Sequence, residues 1–279
     1  MMRLSEIDWN ELWKEAQARK HTPHHDSEFW NKRAPSFAKH ASSSGYVEQF
    51  MAILKPEPHW SVLDIGCAAG TLALPLASIV RSVTALDPST TMLSLLENRC
   101  REQRVTNIRI VEGCWEDDWD ELGIGVHDVA IASRSLIVDD LRAAVSKLES
   151  CARKRVYLST LVDSGPYDHR IVEAVGRNFD HGADYILVYN LLRQMGIYAN
   201  VSFTVSRDDK TFRDLEDALD SVRWMIYEMT STEEKRLRRY LGHHLIRENG
   251  RWKLPYRRVV RWAVLWWDKE GTIPGEWCA

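Results

Sequence analysis

Apolar positions follow two alternating periods along the middle of the chain. From Trp60 onward, short apolar runs of strand length are separated by segments whose apolar residues have helical spacing. This alternation predicts an α/β fold, with a doubly wound and mostly parallel sheet covered by helices on both faces. The predicted strands are 61–66, 82–87, 107–112, 126–133, 153–160, 200–206 and 258–267. The predicted helices are 71–79, 89–103 and 139–150, with further helical patterns near 168–178 and 183–195.

Two regions depart from this alternation. Residues 1–58 contain helical faces ahead of the first strand, and we expect them to form an N-terminal helical cover. The remaining residues, 59–279, are predicted to form one main domain. Within this domain, the alternation of predicted strands and helices is interrupted by an insertion at about 208–257, which is expected to cover the substrate. Within it, Ser231 and Glu234 have the spacing of a capping box at the start of a helix.

The turn after the first predicted strand is the most informative local feature. The strand contains Asp64, and the small residues Gly66, Ala68 and Gly70 follow it. Glycine lets the backbone approach a ligand and adopts positive φ without strain. Asp87 ends the next strand, 21 residues after Gly66, where an acidic residue of a doubly wound fold reaches the two hydroxyls of a ribose. The sequence therefore predicts a nucleoside site.

Three nucleotide-binding motifs can be compared with this turn. The dinucleotide fingerprint fails because Ala68 and Thr71 stand at its second and third glycine positions. The phosphate loop fails because Thr71 stands where its second glycine should be, and no lysine follows. The third motif fits: D-x-G-x-A-x-G, with L-D-P-S at the end of the second strand, resembles the class I S-adenosylmethionine-dependent methyltransferases.

This resemblance implies a seven-stranded sheet whose last strand is antiparallel, and S-adenosylmethionine as the cofactor. It places Gly66, Ala68 and Gly70 at the methionine end of the cofactor and Asp87 on its ribose. After the third strand, where related enzymes surround the adenine, Trp115 is expected to stack on the ring. The full set of predicted cofactor-binding residues is Asp64, Gly66, Ala68, Gly70, Asp87, Pro88, Met92, Trp115, Glu116 and Ser133.

The loop from Ser133 to Leu136 should face the transferred methyl group, because ligands of this fold lie at the carboxyl ends of the strands. It is neither N-P-P-Y nor D-P-P-Y, and no Pro-Cys nucleophile follows, which weighs against two classes of nucleic-acid methyltransferase. The segment F-W-N-K-R-A-P-S-F resembles the ubiquinone/menaquinone-biosynthesis type and favours a small-molecule acceptor, anionic or aromatic. The predicted substrate-binding residues are Trp30, Arg134, Trp224 and Tyr227, with Arg236, Arg239 or Arg257 for an anionic group.

Transfer of a methyl group from a sulfonium is an in-line displacement that depends mainly on alignment of the two reactants. A base is needed only when the nucleophile carries a proton. His24 and His25 lie in a polar break between two predicted covering helices. Imidazole titrates near neutral pH, so these two histidines are the predicted catalytic residues.

Composition narrows the class of protein. Five cysteines form no C-x-x-C pair, no metal-binding motif is visible, and no apolar run has the length of a membrane helix. These features favour a cytoplasmic protein with reduced thiols. From Lys235 to Arg261 there are ten Lys or Arg and one acid, so an RNA or protein methyltransferase is an alternative. A protein that binds S-adenosylmethionine without catalysis is another.

Overall fold

A computed structural model describes residues 6–19, 27–40, 45–180 and 182–269. Its strands are β1 (Ser61–Ile65), β2 (Ser82–Asp87), β3 (Ile108–Glu112), β4 (His127–Ser133), β5 (Ala152–Leu161), β6 (Asn200–Asp208), β7 (Ile246–Glu248), β8 (Arg251–Lys253) and β9 (Arg258–Asp268). Seven of them form one sheet in the order β3-β2-β1-β4-β5-β9-β6. Strand β9 is antiparallel to both of its neighbours, whereas β1 to β5 pair in parallel.

The helices are α1 (Trp9–Arg19), α2 (Ser27–His40), α3 (Tyr46–Leu54), α4 (Ala73–Ala77), α5 (Thr90–Gln103), α6 (Leu141–Ser150), α7 (His169–Ala174), α8 (Tyr185–Gln194), α9 (Leu215–Arg223) and α10 (Ser231–His244). No helix in the described ranges has both the length and the apolar character needed to span a bilayer. The predicted fold is confirmed: a doubly wound, mostly parallel sheet of seven strands with the last one antiparallel.

The two faces of the sheet bury alternate residues of each strand. Leu63 and Ile65 lie in a core shared with α1, α6 and α8, which we call the α6 face. Val62 lies in a second core shared with α3, α4 and α5, which we call the α4 face. Because side chains of a strand alternate between faces, Asp64 lies on the α4 face with Val62.

The N-terminal helices have three different positions. In α1, Trp13 is buried on the α6 face and its Nε1 donates to the Val138 carbonyl at 2.9 Å. Helix α3 buries Phe50 on the opposite, α4 face. Helix α2 packs through Ala34 against Ala69 and α5. Of the three helices described within the predicted cover over 1–58, α2 is therefore the one placed against the glycine turn, while α1 and α3 belong to the core.

The insertion packs against α7 in a separate small core, to which it contributes α9, α10 and the segment around β8. Helix α10 begins one residue earlier than predicted, because Thr230, and not Ser231, is the cap that exchanges hydrogen bonds with Glu233. The β7–β8 hairpin was not predicted. Its strands are only three residues long and largely exposed, so they carry no apolar alternation. The available signal was Asn249-Gly250, both at positive φ in a two-residue turn.

Replacement of Trp13 by Ala should destabilise the fold strongly. The change removes a fully buried ring and leaves the Val138 carbonyl without its donor, so we expect a loss of about 3–5 kcal/mol in the free energy of unfolding. Urea unfolding followed by circular dichroism measures this quantity. Glu15→Ala, on the exposed side of the same helix, is the control and should change stability by less than about 0.5 kcal/mol.

Candidate functional site

The glycine turn is fixed to the end of the neighbouring strand by backbone hydrogen bonds. The amides of Gly66 and Cys67 both donate to the Leu86 carbonyl, at 2.8 and 3.1 Å. One residue further on, the Ala68 amide donates to Oδ2 of Asp87 at 2.8 Å. Three successive amides of the turn thus point at the end of β2, which determines where the turn lies.

The turn requires small residues for steric reasons. Gly66 has φ +69°, and a Cβ built on it would lie 2.3 Å from Cβ of Ser135. Gly70 has φ +82°, and its Cβ would lie 2.5 Å from Cδ1 of Leu96. Ala68 accepts a left-handed φ of 49° despite its methyl group, a conformation that costs on the order of 1–2 kcal/mol outside glycine. Any side chain at Gly66 would disturb the fold as well as the approach of a ligand.

Asp87 has the position that the sequence predicts, at the end of β2 and 6% exposed. Its Oδ2 accepts the Ala68 amide and its Oδ1 accepts the Ser89 amide at 2.9 Å. A carboxylate has about four lone-pair directions, so each oxygen can accept one more hydrogen bond. Burial raises the pKa of Asp87, while these two amides act against the rise. The carboxylate therefore both holds the turn and can receive a ribose.

Asp64, two residues before Gly66, is buried and has a raised pKa. It is 1% exposed, and its Oδ2 has no hydrogen-bonding partner among the described residues. Burial first, and then the charge of Asp87, raises the pKa of Asp64 to about 7, although the Ala73 amide and Arg134 oppose this rise. Shifted pKa values of this kind are common at functional sites, and Asp64 remains a predicted cofactor-binding residue.

Helix α2 is attached to the start of α5, next to Asp87. Oδ1 of Asn31 accepts from the Ser89 hydroxyl at 2.7 Å and from the Thr91 amide at 3.1 Å. Ser89 itself caps α5 by accepting the Met92 amide, as its position after Asp87 predicts. The Met92 side chain is buried against Ala34 and Ala69, so it packs α2 onto the glycine turn. Pro88 lies between the two anchored residues.

The predicted adenine side of the site is formed after β3. Trp115 is half-buried, and its Nε1 donates to the Ser135 carbonyl at 2.9 Å, which ties this loop to the loop after β4. Its ring lies 5.5 Å from that of Trp119. Glu116 is exposed. Trp115 and Glu116 remain predicted cofactor residues, with the indole N–H already used in the protein.

A polar cluster lies at the carboxyl end of β4, on the α4 face. The Tyr46 hydroxyl, from α3, lies 2.6 Å from the Ser133 hydroxyl and donates to the Ser159 hydroxyl at 2.8 Å. Arg134 follows with a left-handed φ of 58°. Its guanidinium carbon lies 4.0 Å from the centre of the Tyr46 ring and 5.6 Å from that of Trp262. Two predicted site residues, Ser133 and Arg134, are thus brought together by Tyr46.

Two of the three aromatic residues predicted to contact the acceptor, Trp30 and Trp224, lie around one arginine. The Arg33 guanidinium of α2 lies 4.6 Å from the Trp224 ring and 6.0 Å from the Trp30 ring. Trp224, just after α9, also contacts the Tyr167 ring at 5.3 Å. Tyr227 is half-buried in the same segment. These contacts join α2 to the insertion. The predicted catalytic residues His24 and His25 lie outside the described residues.

Two of the three arginines predicted to hold an anionic group are engaged within the protein. Arg236 donates to the Val175 carbonyl at 2.8 Å, and Arg257 pairs with Asp209 at 2.9 Å. Arg239 lines a surface cleft of about 240 Å³ together with Tyr240 and His243. This cleft belongs to the insertion, and none of its lining residues belongs to the glycine turn.

Three residues that build the site are not predicted from the sequence. Asn31 and Tyr46 act on segments that are 58 and 87 residues away in the chain, and no local pattern connects such positions. Ser135 donates to the Ile65 carbonyl at 2.6 Å and excludes a side chain at Gly66. For Ser135 the available signal was its place in the loop after β4, within Ser133–Leu136.

The raised pKa of Asp64 predicts a specific pH dependence of stability. The folded protein holds this proton up to about pH 7, while the unfolded chain releases it near the ordinary value of 3.8. The folded state thus binds more protons in this window, so the group makes the free energy of unfolding fall as pH rises from about 4 to about 7.

Asp64→Asn keeps a neutral side chain and should remove that fall. The free energy of unfolding of the variant minus that of the wild type should therefore increase from about pH 4.5 to about pH 7.5, by on the order of 1–4 kcal/mol. Urea unfolding at the two pH values measures the gain, with the exposed Asp120→Asn as control. Parallel pH dependence in Asp64→Asn and wild type would show that Asp64 has an ordinary pKa.

Comparison with known proteins places the chain in a family. Residues 62–155 match the family described as a methyltransferase domain. An uncharacterised protein of Haemophilus influenzae is 32% identical over 243 residues, which cover 86% of this chain and 88% of that protein.

Two solved structures share the fold. One is a candidate methyltransferase of Bacillus halodurans, with a TM-score of 0.54 and 15% identity over 80% of this chain and 98% of its own. The other is the YcgJ protein of Bacillus subtilis, with a TM-score of 0.51 and 16% identity over 80% and 97% of the two chains. The domain match includes the glycine turn and Asp87, and the strand order agrees with it, so residues 62–155 form a methyltransferase domain, within a sheet that has the fold of the class I S-adenosylmethionine-dependent methyltransferases.

Proposed function

We propose that this protein transfers the methyl group of S-adenosylmethionine to a small-molecule acceptor at the carboxyl ends of β1, β2 and β4. The observation that carries the proposal is the glycine turn whose Ala68 amide is held on the Asp87 carboxylate at 2.8 Å. The turn leaves no space for a side chain at Gly66, and Asp87 keeps accepting capacity. A turn of small residues and a carboxylate that can accept further hydrogen bonds both suit S-adenosylmethionine, which has a ribose and a charged amino-acid part.

The residues present fit the cofactor at each of its parts. Asp87 would accept hydrogen bonds from the ribose hydroxyls, and the loop with Trp115 would surround the adenine. Gly66 and Gly70 would line the methionine end, where Asp64 offers a buried carboxylate oxygen without a protein partner. When bound, S-adenosylmethionine supplies a methyl group on a positively charged sulfur, and the bond pair of that methyl group stays on sulfur after transfer. The chain itself aligns the acceptor and excludes water.

The connection between α2 and the insertion supports a small acceptor. Arg33 spans the space between the two, with Trp224 at 4.6 Å and Trp30 at 6.0 Å. Trp30, Arg33 and Trp224 are each half-buried at this junction, and burial lowers the pKa of Arg33. A site roofed in this way would accept a molecule of limited size and would present aromatic rings to it. Similarity to the ubiquinone/menaquinone type remains a prediction from sequence.

The basic segment gives little support to a nucleic-acid substrate. Several of its cations are used within the protein: Arg238 pairs with Glu216 and Glu234, Lys253 with Glu248, and Arg258 with Asp168. Cations that are neutralised by neighbouring carboxylates attract phosphates less strongly than a free basic patch does. This observation favours the small-molecule acceptor over RNA.

A hydroxyl or amine acceptor would need a base, and we propose His24 or His25 for that role. The two histidines directly precede α2, which packs on the glycine turn. An acceptor that is already an anion or a thiolate would need neither.

Replacement of Asp87 by Ala should weaken donor binding at least about tenfold. The variant loses charge-assisted hydrogen bonds to the ribose, each worth about 1.5–3 kcal/mol, and it releases the Ala68 amide. Titration calorimetry with S-adenosylhomocysteine measures the affinity. Glu112→Ala is the matched control, because Glu112 is exposed in the same register position on the next strand. Equal affinities of Asp87→Ala and wild type would refute the assignment of the nucleoside site.

The acceptor class can be tested without knowing the acceptor. The protein is incubated with S-adenosylmethionine labelled on its methyl group and a cell extract separated by size. We expect label in the small-molecule fraction, in the presence of wild type and at a much lower level with Asp87→Ala. Label in RNA or protein would contradict the small-molecule assignment. Donor binding without any transfer would support the non-catalytic alternative.

A further inference from the structure

Arg134 is a cation whose side chain has no polar partner in the described part of the chain. Its backbone amide donates to the Ser159 carbonyl at 2.9 Å, but its guanidinium makes no hydrogen bond or ion pair there. The residue is half-buried, and burial lowers its pKa, while Tyr46 and Asp64 act in the opposite direction. A guanidinium has five N–H donors, and these are ordinarily satisfied when the group is removed from water.

Aromatic rings hold the guanidinium in place without using its donors. The Tyr46 ring lies 4.0 Å from it and the Trp262 ring 5.6 Å. The Tyr46 hydroxyl is occupied by Ser133 and Ser159, so Tyr46 offers Arg134 its ring and not its oxygen. A cation against ring faces keeps its N–H edges available for hydrogen bonds. The arrangement positions a planar set of donors that the described residues do not use.

The nearest acid does not neutralise this cation. Asp64 lies on the same face of the sheet and interacts with Arg134 electrostatically, yet the two form no ion pair and Oδ2 of Asp64 has no partner. Oγ1 of Thr204 on β6, 2% exposed, is another buried polar atom without a partner among the described residues. Thr204 is the cross-strand partner of Trp262, so the two side chains share one face.

We propose that Arg134 binds a carboxylate group of a molecule held at this site, an inference that rests on the proposed function. Arginine presents paired donors that match the two oxygens of a carboxylate. A single negative charge suits one cation beside the acidic Asp64, whereas a doubly charged phosphate would leave excess negative charge there.

The carboxylate can come from either reactant. The donor carries one on its methionine part, and an acceptor that is a carboxylic acid would carry another. Arg134 follows β4 and reaches toward β9, so it lies on the side of β1 opposite to Asp87. Both the methionine end of the donor and the acceptor are expected on that side, and the experiment has one arm for each.

The first arm compares two nucleoside ligands by titration calorimetry. S-adenosylhomocysteine carries the carboxylate, and 5′-methylthioadenosine has the same nucleoside without the amino-acid part. The second arm titrates acetate, with acetamide as the neutral control, into protein saturated with S-adenosylhomocysteine, at constant ionic strength and with tryptophan fluorescence as the readout. Each ligand is tested on wild type, Arg134→Gln and Arg134→Lys.

If the carboxylate is that of the donor, Arg134→Gln should lose at least about tenfold in affinity for S-adenosylhomocysteine and keep its affinity for 5′-methylthioadenosine. If the carboxylate is that of the acceptor, Arg134→Gln should lose acetate binding and keep its affinity for both nucleosides. Arg134→Lys should restore part of the loss, because it keeps the charge. Arg104→Gln is the matched control: Arg104 is exposed, with φ of 56° against 58° at Arg134, and its replacement should change nothing.

Retention of 5′-methylthioadenosine binding also shows that Arg134→Gln is folded. Unchanged affinity for S-adenosylhomocysteine and unchanged response to acetate in Arg134→Gln would overturn the proposal. Equal losses for both nucleosides in both Arg134 variants would also overturn it, because they indicate a structural role. A wild type that binds neither nucleoside would instead contradict the proposed function, so the two failures are distinguishable.

Discussion

The buried carboxylate of Asp87 is the interaction on which the site depends. It accepts the Ala68 amide on one oxygen and the Ser89 amide on the other, and thereby connects the turn after β1 to the turn after β2. Both amides belong to turns, where the backbone has no strand partner to satisfy it. Hydrogen bonds to a charged group are worth about 1.5–3 kcal/mol each, which offsets the cost of burying the carboxylate.

The same carboxylate connects the glycine turn to α2 and the insertion. Ser89, which it fixes, donates to Asn31 of α2, and α2 continues to Arg33 and its contact with Trp224 of the insertion. A displacement of the Asp87 carboxylate would therefore affect the glycine turn, α2 and the insertion together. Methyl transfer depends on alignment of two reactants, and these contacts would give both a common support if the acceptor binds as we propose.

Sequence predicts those parts of this architecture that arise from local patterns. Alternating apolar runs locate all seven strands of the main sheet, and the spacing from Gly66 to Asp87 identifies two turns that lie together, where we propose the nucleoside site. Helix α2, in contrast, is placed by Asn31, whose partners Ser89 and Thr91 are about 60 residues away. Such a contact is determined only after the chain has folded, because nothing in the sequence near Asn31 specifies which segment will lie beside it.

The other differences between the elements predicted from the sequence and those in the structure also have physical reasons. The sequence predicts Ser231 as the cap of α10, whereas the structure has Thr230 in that position. Several residues in T-S-T-E-E can serve as a cap, and Thr230 is the one that forms reciprocal hydrogen bonds with Glu233. The β7–β8 hairpin is too short and too exposed to show an apolar period. Tyr46 could not be identified as part of the site, because an aromatic residue at a helix start has the same pattern whether it packs in a core or supports Ser133.

A crystal structure with bound S-adenosylhomocysteine is the sharpest test of the Asp87 site. We expect both ribose hydroxyls within hydrogen-bonding distance of the Asp87 carboxylate, while the Ala68 amide keeps its contact with Oδ2. We also expect the chain between Gly66 and Gly70 to contact the ligand through its backbone. Clear density for the nucleoside elsewhere, with Asp87 bonded only to Ala68 and Ser89, would refute the role of Asp87 in binding the ribose.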